Sequence, residues 1–232
     1  MLTTNVDTAK LKRKTILGFI VTTVPFELLL FASAGSFNYW QGWVYSIITF
    51  VFLGGTAFYL WKRDPALLER RTKVGAVDEK ETGEKIVQII VILGSISIAV
   101  IPALDYRFGW SHVPLYIVIL GAILLIIGYY LVFLTFKVNS FASTTIEVAT
   151  DQKVISTGLY GIVRHPIYLG ALIALVGTPL SLGSWWGLII LIPYVPGIIW
   201  RLLDEEKFLS KNLQGYDEYR QKVRYRLIPL LW

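Results

Sequence analysis

The chain has 232 residues, 55% of them hydrophobic and only 16% charged, with a mean hydropathy of +0.59. A chain of this length and apolarity is not a soluble domain; the composition requires an integral membrane protein. The formal net charge of +6 and pI near 9.4 raise the question of nucleic acid, which the position of the charges answers below. Cysteine is absent, which excludes disulfides, thiolate nucleophiles and Cys-ligated metals.

Apolar runs long enough for a hydrocarbon core of about 30 Å predict six membrane-spanning helices in an all-α, polytopic fold. The first is Thr15–Ala34. A polar, basic stretch precedes it and no small-residue cleavage site follows closely, so it reads as a retained anchor. It carries Glu27, an intramembrane acid and hence a functional candidate by default. With Pro25 two residues away and Gln88 on another helix as a partner, a structural role is the expected one. The second span is Gln41–Trp61. Lys62–Lys85 is then a charged loop with a short helix at Pro65–Arg71, since proline suits a first helical turn. The third span, Ile86–Leu104, stops at Asp105, and the fourth is Pro114–Leu134.

Thr135–Pro166 is long and polar, with an extended-looking run at Thr144–Val148. The fifth and sixth spans, Ile167–Ser184 and Trp185–Leu203, share a Gly183-Ser184 turn and form a hairpin. Gly170, Ala174 and Gly177 on the fifth permit close helix packing. Pro193 and Pro196 in the sixth free backbone carbonyls and predict a bend that opens a lateral gap for a lipidic molecule. A hydrophilic tail, Asp204–Trp232, follows. The expected organisation is one integrated domain, with a four-helix membrane region at 1–134 and a chemistry-bearing region at 135–232.

With the N-terminus inside, 21 of the 22 Lys and Arg fall on the inner side and only Arg107 outside. This positive-inside bias predicts both termini in the cytoplasm and makes the basicity topological. Trp40, Trp43, Trp110, Trp185 and Trp186 fall at the outer boundary, Trp61 and Trp200 near the inner one, as interfacial anchors do. Nucleic acid is not an expected partner, and no obligatory protein partner is implied.

Two charged clusters bracket the hairpin: Arg164-His165-Pro166-Ile167-Tyr168, preceded by Tyr160, and Arg201-Leu-Leu-Asp204-Glu205-Glu206. One trip into the bilayer and back returns both to the same face. Arg201 and Glu205 are four apart and share a helix face. Three acids at a helix C-terminus oppose its dipole, so a cation must compensate them: Arg164 and the tail basics, or a bound ligand. Tyr and His suit an aromatic or cationic ligand and Arg suits a carboxylate. No metal site is expected, because the two histidines, His112 and His165, fall at opposite faces.

Gly158-x-Tyr160-x3-Arg164-His165-Pro166-x-Tyr168-x-Gly170, then Arg201-x3-Glu205-Glu206-x2-Leu209, then Gly215-Tyr216-x2-Tyr219, resembles the isoprenylcysteine carboxyl methyltransferase and phospholipid methyltransferase superfamily. The resemblance covers about Asn139 to Trp232. It implies S-adenosyl-L-methionine bound at the cytoplasmic face and a lipophilic acceptor entering from the membrane: an isoprenylcysteine carboxylate-like molecule, a phospholipid or a small hydrophobic molecule. By position it implies a cofactor pocket of Gln152, Lys153, Val154, Ile155, Tyr160, His165, Pro166, Ile167, Tyr168 and Glu205, with Arg201 and Arg164 as catalytic residues toward the substrate. Methyl transfer from a sulfonium gains most from alignment and exclusion of water. No Gly-rich nucleotide fingerprint follows a predicted strand, which excludes a soluble Rossmann-type domain. Two other readings compete. A small transporter would use Glu27, Asp105 and the bent sixth helix, but the chain lacks the internal repeat common in transporters. An NADPH-dependent reductase on a related scaffold would differ from the leading reading in its cofactor.

Overall fold

Helices occupy every apolar run that the sequence marks out. The computed structural model describes residues 8–72, 82–144, 146, 148, 149 and 151–232, with only the backbone described for Thr8, 82–91 and Ser95. The helices are α1 (Thr8–Ala34), α2 (Trp40–Arg63), α3 (Pro65–Arg71), α4 (Thr82–Phe108), α5 (Leu115–Val138), α6 (Pro166–Ser181), α7 (Leu191–Asn212) and α8 (Tyr216–Lys222), with 3₁₀ turns at Gly158–Gly161 and Trp186–Ile190. Among the described residues there is no strand. Of the run Thr144–Val148 expected to be extended, Thr145 and Glu147 lie outside the described residues.

Four helical stretches are long and apolar enough to cross a bilayer: Ala9–Ala34, Trp40–Arg63, Leu115–Val138 and Trp186–Asn212. Pro166–Ser181 is apolar but shorter. Their outward faces carry large apolar side chains, with Leu17, Val21 and Leu28 of α1 at 58%, 60% and 66% exposure. Water does not stabilise so continuous an apolar surface, whereas lipid does.

The short helix α3 forms where the sequence puts it. Asp64 caps it by accepting the Leu67 N–H at 3.0 Å, with Pro65 in the first turn, where its missing N–H costs nothing. Leu67 and Leu68 are buried and pack with Leu11, Leu60, Phe136 and Ala142. This packing lays α3 against the ends of α2 and α5.

Packing is closest between α5 and α6. A Cβ on Gly128 would lie 2.5 Å from Ala174 N and from the Gly170 carbonyl oxygen, and one on Gly177 would lie 2.6 Å from Leu125 N. Glycine at these positions lets the two backbones touch, as small-residue seams do in lipid. α7 begins in the 3₁₀ turn, continues through Pro193 and Pro196, and runs nine residues beyond Leu203, to Asn212.

The end of the bundle away from the basic loops is closed by buried polar bonds. Asp105, 1% exposed, accepts from the Ser111 N–H at 2.8 Å, the Ser111 hydroxyl at 2.6 Å and the Ser184 hydroxyl at 2.5 Å. Tyr39 donates to the Leu182 carbonyl at 2.6 Å. Glu27 accepts from the Ser46 hydroxyl at 2.6 Å; the side chain of Gln88, its expected partner, lies outside the described residues.

Candidate functional site

At the other end, the tail folds back onto the start of α6. The N–H groups of Arg164 and His165 donate to the carbonyls of Tyr225 and Arg226 at 2.9 and 3.0 Å. The Arg164 Nη1 donates to the Val223 and Arg224 carbonyls, both at 2.9 Å. Its Nε donates to Glu206 Oε1 at 2.6 Å. Arg226 reaches the other oxygen, Oε2, at 2.9 Å, and the guanidinium lies over the Trp232 ring. His165 Nε2 is 3.2 Å from Glu206 Oε1. Glu206 is only 4% exposed, so its charge is sustained by two guanidinium groups, the charge-assisted pairing that buried carboxylates need. Compensation of this acid therefore comes from Arg164 and a tail arginine.

Beside this junction a cavity of about 600 Å³ opens. Its polar end is lined by Gln152, Lys153, Val154, Ile155, Tyr160, Arg164, His165, Ile167, Tyr168, Arg201 and Glu205. Of the residues named from the sequence, only Pro166 is not in the wall; it is buried in the first turn of α6. The loop, the hairpin and the end of α7 thus meet in one place. Glu205, next to Glu206 but on another face of α7, accepts from the Tyr168 hydroxyl at 2.7 Å. Arg201 Nη2 donates to the Thr144 carbonyl at 2.7 Å. Gln152 caps its own turn, accepting from the Ala149 N–H at 3.1 Å. Tyr160 accepts from Asn139 Nδ2 at 2.7 Å, and its carbonyl accepts from the Tyr219 hydroxyl at 2.8 Å.

Burial pushes the Tyr160 phenol up to about 12, although the Asn139 bond pulls the other way. Burial also raises Tyr216 and Tyr219. All three stay neutral donors at physiological pH. Among the described residues the Tyr216 hydroxyl, in the same wall, has no hydrogen-bond partner.

From this polar end the cavity runs between α6 and α7. Ala171, Leu175 and Thr178 line it on α6, Ile198 and Tyr194 on α7, with Phe52 and Tyr129 opposite. Tyr168 to Thr178 spans ten residues, so at about 1.5 Å per residue the apolar limb is about 15 Å deep. That is about half the hydrocarbon thickness of a bilayer.

The sequence reading missed every wall residue from the four-helix region at 1–134: Phe52, Arg71, Tyr129 and Val132. Only Arg71 left a trace, as one of two arginines in the last turn of the Pro65–Arg71 helix. Asn139, which orients Tyr160, is not singled out by the sequence, and Arg226 is marked only as one of the tail basics expected to compensate the acids. Nothing in the order of the chain predicts contacts across such separations.

Residues 116–215 match the family described as phospholipid methyltransferase. A 95-residue stretch is 35% identical to Delta(14)-sterol reductase TM7SF2 of Mus musculus, covering 38% of this chain and 22% of that protein. The chain therefore matches only about a fifth of the length of this relative. The matched stretch holds nearly all of α5, and α6, α7 and the first two motifs, and the family it matches is one of the integral membrane methyltransferases.

Proposed function

We propose that the protein transfers a methyl group from S-adenosyl-L-methionine to a lipophilic acceptor at the cytoplasmic face of a membrane. In this reading it spans the bilayer six times with both termini in the cytoplasm, as the positive-inside bias requires. The observation that carries the reading is one cavity, polar at one end and apolar for about 15 Å at the other, lined mostly by residues of the family-matched stretch. A water-soluble cofactor and a membrane-soluble acceptor must meet, and Tyr168, Arg201 and Glu205 stand where the two halves join.

The donors and acceptors present suit the cofactor. About 600 Å³ lies in the range that encloses a molecule of that size. The carboxylate of Glu205 complements a sulfonium or accepts from ribose hydroxyls, and the rings of Tyr160, His165 and Tyr168 suit its aromatic and cationic parts. Residues Gln152 to Ile155, Tyr160, His165 to Tyr168 and Glu205 would hold it, and when bound it supplies the activated methyl group. Arg201 then faces the acceptor. Arg164, joined to Glu206 and the tail carbonyls, fixes the wall in which the cofactor sits. Rate comes from alignment and exclusion of water, for which a cleft between two helices, filled by its two ligands, is suited.

A second reading is favoured by the partial identity with a sterol reductase: the same scaffold would then take NADPH. Calorimetric titration of detergent-purified protein with S-adenosylhomocysteine, with NADPH in parallel, separates the two. Saturable binding of S-adenosylhomocysteine is expected, weakened by Glu205→Gln and by His165→Ala. Arg201→Ala is expected to remove methyl transfer chiefly. Binding of NADPH alone overturns the methyltransferase reading in favour of the reductase.

A further inference from the structure

Arg71 stands in the cavity wall although it comes from the half of the chain to which neither the motifs nor the family match extends. Its position follows from α3. Leu67 and Leu68 anchor that helix in the core, and a residue three or four positions on lies over the same face. Arg71 is therefore carried inward, toward Ser143, Tyr160 and Tyr168 of the wall.

The charge has little to satisfy it there. Arg71 Nη1 donates to the Ser143 carbonyl at 3.2 Å, and the guanidinium lies 4.9 Å from the Phe136 ring centroid. A guanidinium has five N–H donors, and among the described residues no carboxylate pairs with this one. Desolvation lowers its pKa, as it does for a cation held away from water and from anions. Its neighbour shows what a purely structural arginine does here: Arg70 donates to the Ser140 carbonyl at 2.6 Å, covers Phe141 and stays out of the cavity wall. One arginine suffices to tie α3 to this loop. A second, turned into the cavity with a charge that no acid among the described residues balances, is costly unless something else supplies the anion.

We infer that Arg71 is an oxyanion-binding residue of the cavity, holding the carboxylate or phosphate group of the bound ligand. The inference rests on the reading above only in taking the cavity as a ligand site. Two ligands can supply the group, the cofactor through its carboxylate or the acceptor through its headgroup, and the fork geometry of a guanidinium fits either.

The test compares wild type with Arg71→Gln in maltoside detergent, using four probes: S-adenosylhomocysteine, 5′-methylthioadenosine, which lacks the carboxylate, dodecyl phosphate, and the uncharged dodecanol. Loss of a charge-assisted contact is expected to weaken binding about tenfold or more. A loss for S-adenosylhomocysteine but not for methylthioadenosine assigns the oxyanion to the cofactor. A loss for dodecyl phosphate but not for dodecanol assigns it to the acceptor. Equal affinities for all four probes in both proteins, or equal losses for charged and uncharged probes, overturn the inference. So does a wild type that binds neither anionic probe. A wild type that binds dodecyl phosphate but no S-adenosylhomocysteine defeats the cofactor reading and still leaves Arg71 to be decided. The ligand-free unfolding midpoint of Arg71→Gln is expected to equal or exceed that of wild type, because an unbalanced half-buried charge has been removed; a lower midpoint with unchanged binding would make Arg71 a structural tie like Arg70. If Arg71→Gln does not fold, Arg71→Lys keeps the charge without the fork and is expected to show an intermediate loss for the anionic probe alone.

Discussion

Helix α6 treats two of its neighbours, α5 and α7, in opposite ways. Against α5 it packs backbone to backbone through Gly121, Gly128, Gly170, Ala174 and Gly177, leaving no room for a side chain, still less a ligand. Against α7 it is joined only near the ends. At one end Glu206 of α7 binds Arg164, two residues before α6, and Arg226; at the other the connecting turn itself joins the two helices, held to α4 by the Ser184–Asp105 bond. Between the two junctions lies the cavity. A sealed seam and a seam pinned at its ends are made from the same helix, so the difference is in what each face presents: small residues on one, and Tyr168, Ala171, Leu175 and Thr178 on the other. Lipid cannot drive helices together by the hydrophobic effect. A cleft between them persists when polar bonds at its ends fix the separation.

The largest effect should come from breaking the pin. Glu206→Ala strips two guanidinium groups of their buried anion, and uncompensated charge of this kind costs about 3–5 kcal/mol. The unfolding midpoint in detergent should fall steeply, and the tail should become protease-sensitive. A midpoint within a degree of wild type would show that the cleft does not depend on this junction. Next comes the sealed seam. Gly128→Val forces a branched side chain into the Gly170 carbonyl and Ala174 backbone, and overpacking costs about 1–3 kcal/mol or more. If Gly128→Val is as stable as wild type, the two seams are not the opposites described.

The same contrast shows what was legible beforehand. The six apolar runs, the hairpin and the meeting of its two charged ends were legible because helix length and lipid thickness leave few arrangements. The short helix at Pro65–Arg71 was legible from its proline; the Asp64 cap shows only in the structure. The partners were not. Three consecutive acids call for Arg164 and the tail basics, but not for the division in which Glu206 takes both arginines and Glu205 faces Tyr168, since that depends on α7 continuing to Asn212. Hydropathy ended the span at Leu203 because it reports where lipid ends, not where a helix ends. The Asp105–Ser184 bond joins residues 79 apart, and Arg71 enters the wall by the docking of α3, which no local pattern encodes.

The open seam makes a milder prediction. Leu175 lines the apolar limb, away from Glu205 and the polar end. Leu175→Trp should raise the KM for a lipophilic acceptor about tenfold, equivalent to about 1.4 kcal/mol, and leave the affinity for S-adenosylhomocysteine unchanged. Equal losses for both would mean that the cavity is one undivided site.

The smallest effect tests how the loop is held against the open seam. Tyr160→Phe removes the acceptor of the Asn139 amide and should cost about 1 kcal/mol at neutral pH. It should also change the alkaline limb of stability. The Tyr160 phenol is raised from 10.0 to about 12 in the folded protein, so the unfolded chain loses this proton first. Its contribution is fully present below pH 10 and is lost as pH rises through about 12. Tyr160→Phe should therefore lose less stability than wild type across that interval. Parallel curves for the two proteins would mean that Tyr160 ionises as easily folded as unfolded. The loop from Gly158 to Gly161 would then be open to water, and the polar end of the cleft would not be the enclosed site that methyl transfer requires.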